Sequence, residues 1–209
     1  MQTIQKLIGI LLLSICMLAA AETPQIIKTL RQKYGKNVTL KTQFNLEIFW
    51  KVRERTEKKS GMLYCAPNDK FRLQLDKTTW VSDGRTYWQY SEKNKQVVIK
   101  QLLDVDLAMH PSQIISTYLF EYAYTIKQED ASEAVLVWTA AEGEKKGFAR
   151  VVTLWIDKKK LVLKKLHIID ASGNESTYVF KKTKTGASIP NSVFTLDIPE
   201  GASVLDTRE

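Results

Sequence analysis

A chain of 209 residues with 44% hydrophobic and 26% charged residues is long enough for one domain with a real core. Its formal net charge of +8 favours acidic partners or anionic surfaces. No nucleic-acid-binding module accompanies that charge, so nucleic acid is not an expected partner.

Residues 1–21 read as an export signal. Lys6 supplies a positive start, Leu7 to Leu18 an apolar stretch, and Ala19-Ala20-Ala21 a small-residue cleavage site before Glu22. About 12 apolar residues fall short of the roughly 20 that a spanning helix needs. Cys16, after Leu13-Ser14-Ile15, raises lipoprotein processing as a rival, but bulky Ile15 stands where that processing needs a small residue. Residues 22–209 then form one domain, soluble and periplasmic. Cys65 is its sole cysteine, so no internal disulfide is possible. A buried small hydrophobe and a reactive thiol are the two readings of Cys65, and its apolar neighbours favour the first.

Thr23-Pro24 predicts a helix start, with Thr as N-cap, and Ile26, Ile27, Leu30 and Tyr34 repeat at helical spacing. Gly35 can end that helix in the left-handed conformation. From Val38 to Val52 the even positions are mostly apolar and the odd ones mostly polar, which predicts one long strand with a dry face and a wet face. Arg53 to Ser60 reads as a charged turn. Short strands follow at 61–65, 71–75, 79–82, 86–90 and 96–100, with turn residues between them. Asp83-Gly84 predicts a two-residue type I′ hairpin, because Asp tolerates positive φ and Gly adopts it freely.

The strand pattern stops at 104–122, where Pro111 opens a second helix with the apolar stripe Ile114, Ile115, Tyr118, Leu119 and Tyr122. Strands resume at 123–128, 134–139, 148–156, 161–169 and 176–181, and Val193 to Ile198 reads as the last one. About eleven strands and two amphipathic helices make a mainly β (α+β) chain. An unclosed antiparallel barrel with helices lidding a cavity would cover so wide an apolar face. A β-sandwich or lipocalin-like barrel with a filled core is the alternative, and patterning does not choose between them.

Catalysis is not expected. His110 and His167 lie in separate elements, and neither has a Cys, His or carboxylate at ligand spacing, so no metal or cofactor is expected either. His110 precedes Pro111 at the helix start. His167, between Leu166 and Ile168, should point outward from a strand. Asp104 and Asp106 read as charges entering a helix. Lysine pairs and triplets, such as Lys58-Lys59 and 158–160, fall in turns and strand ends. Solvation explains them, and docking to an acidic partner or anionic headgroups is the functional alternative.

The run Val81-Ser-Asp-Gly-Arg-Thr-Tyr-Trp-Gln-Tyr90 resembles the V-S-D-G-[KR]-T-x-W-x-Y signature of the LolA family. Gly61-Met-Leu-Tyr, Pro67, Lys70-Phe71-Arg72 and the block from Phe194 to Arg208 are similar to further family motifs. The resemblance implies a carrier that takes the acyl chains of lipoproteins from the inner-membrane Lol ABC transporter to an outer-membrane acceptor, as a monomer. A LolA-like envelope module for another lipid, a glycolipid or a protein partner is the alternative. On the carrier reading the expected lining is Leu40, Phe44, Leu46, Ile48, Trp50, Leu63, Phe71, Leu73, Leu75, Trp88 and Tyr90. Ile26, Ile27, Leu30, Ile114, Ile115 and Leu119 would face inward from the lids. This sequence departs from the family where members carry a lid-bonding basic residue before the proline, since Ala66 stands there. It also has Phe44-Asn45-Leu46 in place of Phe-x-Gln, and Ile114 and Ile115 in place of bulkier residues.

Overall fold

The computed structural model describes residues 23–35, 37–106, 113–141 and 149–208. The expected signal peptide, His110, Pro111 and the 142–146 connection lie outside the described residues.

The chain builds α1 (Gln25–Lys33) and then six strands: β1 (Leu40–Trp50), β2 (Arg55–Ala66), β3 (Lys70–Leu75), β4 (Thr78–Asp83), β5 (Thr86–Ser91) and β6 (Gln96–Gln101). After α2 (Ile114–Phe120) come β7 (Thr125–Glu129), β8 (Glu133–Thr139), β9 (Ala149–Asp157), β10 (Val162–Asp170), β11 (Glu175–Thr185) and β12 (Ser203–Asp206). All twelve strands join one sheet in the order β12-β6-β5-β4-β3-β2-β1-β11-β10-β9-β8-β7, and its two edges do not pair with each other. The architecture is therefore unclosed and mainly β, the first of the two arrangements that the pattern left open. Every pairing is antiparallel except that of β12 with β6. Two meanders, β1–β6 and β7–β11, meet along β1 and β11.

Alternation sets the faces. Phe71 and Leu73 are buried on β3 while Arg72 and Gln74, at the alternate positions, are not, and Leu163, Leu166 and Ile168 line the matching face of β10. One core joins this face to both helices, through Ile27 and Leu30 of α1 and Ile115 and Leu119 of α2. Two helices of nine and seven residues can share one core with so many strands only if the sheet curls beneath them.

Several local expectations change. Thr23 does not cap α1. Pro24 holds the N-cap position, without a side-chain hydrogen bond, and Gly35 is not left-handed. β1 stops at Trp50 and Val52 lies in a 3-10 turn, 88% exposed, so it leaves the dry face. The charged stretch 55–60 is strand, not turn. Its backbone is satisfied by register with β1, from Trp50↔Arg55 to Asn45↔Ser60, which overrides its wet composition. Asp83-Gly84 is not a type I′ pair, because β4 runs through Asp83 and β5 starts at Thr86, so the connection is Gly84-Arg85. The Asp83 carboxylate accepts from the amides of Arg85 and Thr86, both at 2.8 Å, and only Gly84 has positive φ. The left-handed pair sits instead at Asn68-Asp69, with φ of 63° and 55°. A Cβ on Gly84 would lie 2.3 Å from the Asn68 carbonyl oxygen, so the two turns stack through that glycine.

Val193 to Ile198 is not a strand. It starts as a 3-10 turn packed on the back of β3 and β4, where the Arg72 guanidinium donates to the carbonyls of Val193 and Thr195. Phe194 is buried there, 2% exposed, and Gly201 turns the chain at φ 74° into β12.

Candidate lipid-binding face

α1 is seated by two fully buried side chains, Ile27 and Leu30, one turn apart on its inner stripe. Its C-terminal turn is fixed by polar contacts. Lys33 Nζ donates to the Lys160 carbonyl at 2.7 Å, and the Tyr34 hydroxyl accepts from the Leu163 amide at 3.2 Å. Burial pushes the Tyr34 phenol up to about 12, against the lowering effect of that amide.

Arg31 ties the two helices together. Its Nε donates to the Leu119 carbonyl and its Nη2 to the Tyr122 carbonyl, each at 2.8 Å. These carbonyls sit at the C-terminal end of α2, where backbone acceptors have no helical partner and the helix dipole is negative. Sequence reasoning did not single out Arg31. Its cue was a basic residue on the flank of an apolar helix in a chain that lacks a basic residue at position 66.

α2 rests on aromatic side chains. Tyr118 stacks on Tyr122 at 5.4 Å, and Tyr122 meets the Trp138 edge at 4.5 Å. The Tyr124 hydroxyl donates to the Tyr118 carbonyl. Burial raises the phenols of Tyr118, to about 12, and of Tyr124 and Tyr178 further.

The register brings most of the expected lining to this face. Leu40, Phe44, Leu46, Leu63, Leu73, Ile27, Leu30, Ile115 and Leu119 are buried in one cluster, and Ile26, Ile48, Leu75 and Ile114 are half-buried against it. Phe71 is buried in an adjoining cluster with Tyr87 and Leu102, linked to the first through Cys65 and Trp80. Trp50 continues the face to its far end, where its indole N–H is buried without a partner.

Trp88 and Tyr90 lie on the opposite face. Val81 pairs with Trp88 and Ser82 with Tyr87, so Tyr87 shares the Phe71 side, and Trp88 the Arg72 side. The C-terminal meander supplies what the expected lining lacked: Leu136 and Trp138, Leu154 and Ile156, Tyr178 and Phe180. Their i, i+2 spacing was the available signal. His167 points away from this face and lies 3.0 Å from Glu175. Cys65 is half-buried beside the cavity, and burial pushes its thiol up to about 12, away from the low values of reactive thiols.

Beneath the helices Leu30, Leu73, Leu119, Leu136, Leu154 and Leu166 are each fully buried. Open volume adjoins them at one end. A cavity of about 410 Å³ lies between the end of α1, the β2–β3 turn and the start of α2. Leu40, Phe71 and Ile115 form its greasy side, and Asn37, Asn68, Asp69, Lys70 and Ser116 its polar side. Its size falls within the range of small-molecule sites, and its two-sided lining suits an amphiphile.

A curled, unclosed sheet with helices clamped over an apolar face defines a class of proteins built around a coverable hydrophobic surface. The family described as Outer membrane lipoprotein carrier protein LolA matches residues 36–197, and the chain belongs to that family. It is 26% identical over 192 residues to an outer-membrane lipoprotein carrier protein of Chromobacterium violaceum, covering 90% of this chain and 91% of that one. It is 25% identical over 213 residues to one of Vibrio parahaemolyticus, covering 97% and 96%. The fold is similar to that of an uncharacterised conserved protein from Thermus thermophilus, with a TM-score of 0.54, 15% identity and coverage of 87% and 98%.

Proposed function

We propose that the chain carries acylated lipoproteins between the two membranes of the cell envelope, sheltering their acyl chains between the helices and the sheet. The observation that carries this reading is a continuous apolar face closed by two short helices, which Arg31 bonds to one another at their ends. Family membership and relatives called lipoprotein carriers support it. The residues seated under α1 and α2 become the acyl-chain lining once the helices lift, and the cavity beside Ile115 is the point of entry. A chain of ~16 carbons gains about 12 kcal/mol on leaving water, at roughly 0.8 per methylene, so escape into water is slow. Transfer therefore needs direct contact with a donor, the inner-membrane Lol transporter, and with an outer-membrane acceptor.

Mass spectrometry of protein purified from the periplasm tests this: acylated species should co-purify. Ser116→Trp, which plugs the cavity at a half-buried position, should cut lipid recovery about tenfold or more, since a single methylene of misfit in a pocket already costs about tenfold. A repeatedly lipid-free protein, or undiminished loading of the variant, contradicts the proposal.

A further inference from the structure

The end of the sheet away from the cavity has its own construction. Arg55 to Lys59 pair with β1 alone, because β2 meets β3 only from Gly61↔Leu75 onward. At ~3.4 Å per residue this part of the β1–β2 hairpin rises about 17 Å above its β3 side. The β10–β11 turn braces the other side, where the Asn174 side-chain oxygen accepts from the Lys51 amide at 3.1 Å. Glu54, at φ 47°, closes the tip in a left-handed conformation.

The tip's side chains make an unusual set. Val52 is 88% exposed, with exposed Lys51, Arg53 and Arg55 around it and one carboxylate, Glu54. Among the described residues none of these three cations is ion-paired, whereas Lys58 and Lys59 further down bond to Glu47 and Glu57. Half-buried Phe49 and Trp50 lie one step behind. An apolar point, a ring of cations and a pair of aromatic side chains behind them are what the headgroup layer of an anionic bilayer accepts. A protein partner would need roughly 800 Å² of matching surface, and a narrow turn with one valine offers much less.

We infer that the β1–β2 tip docks the protein on anionic phospholipid surfaces, Val52 entering the headgroup layer and Lys51, Arg53 and Arg55 meeting the phosphates. This goes beyond lipid carriage, and does not depend on the helices opening.

Flotation of periplasm-purified protein with phosphatidylethanolamine/phosphatidylglycerol vesicles, against pure phosphatidylcholine vesicles, tests it. Binding should require the anionic lipid and fall about fivefold for each cation replaced by Gln. Val52→Asp should weaken it by a comparable factor. Every one of these positions is exposed, so thermal unfolding should not change. Val52→Cys in a Cys65→Ser background should carry a polarity-sensitive dye whose emission shifts to the blue on anionic vesicles. No binding by the wild type, equal binding by the variants or an unshifted dye overturns the inference; an acidic protein partner would then be left for the tip.

Discussion

Arg31 is the residue on which the lid geometry turns. Arg31→Ala strands two carbonyls at the end of α2 and should cost about 1–3 kcal/mol in urea unfolding. Arg31→Lys, a point donor in place of a fork, should recover only part of that loss. Gly61 is the second telling position. A Cβ there would lie 2.4 Å from the Phe44 ring and 2.9 Å from the Gln74 carbonyl oxygen, so Gly61→Ala should destabilise by about 1–3 kcal/mol through overpacking. A midpoint unchanged by Gly61→Ala would mean that Phe44 can leave its place. The burial of Leu73 and Leu30 was legible at this scale, where period and hydrophobicity agree. The face taken by Trp88 and Tyr90 was not, because hydrophobicity does not say which face of a two-sided sheet a ring occupies. Only register does, and register here depends on the Gly84-Arg85 connection.

Among elements, α2 is the weak one. Seven residues are too few for a helix to persist alone, so its order is borrowed from Ile115, Leu119 and the Arg31 bonds. Native-state hydrogen exchange should therefore find the amides of Thr117 to Glu121 opening well before those of Phe44 and Leu46 in the centre of the sheet. Exchange at the same rate in both would place the lid in the global unfolding unit and argue against a helix that lifts. Strands with clear alternation, such as β1, β3 and β10, were legible from the chain itself. β2 was half hidden, since residues 55–60 owe their strand to a partner and not to their own pattern. β12 was hidden entirely: four exposed residues beside β6 have no sheet-like sequence until Pro199 to Gly201 has turned them there. The helices were legible as stripes, though not their ends, which rest on contacts from other elements.

Taken whole, the molecule keeps several phenols neutral in its interior. The ordinary value is 10.0, and burial raises Tyr34 and Tyr118 to about 12 and Tyr124 and Tyr178 beyond. A raised folded value means that the stabilisation is complete below pH 10 and drains away as pH climbs toward 12, because the unfolded chain releases its phenolic protons first. Denaturant midpoints should accordingly fall between about pH 10 and pH 12, and a flat profile would mean that these hydroxyls reach water. Strand order has a temporal consequence as well. Leu40 lies opposite Thr185, so the hydrogen-bonding edge of the first strand stays bare until nearly the whole polypeptide has been synthesised. A nascent chain leaving its ribosome or translocon N-terminus first would therefore expose one sticky β ribbon for most of its emergence, and a holdase that masks such ribbons should raise its yield.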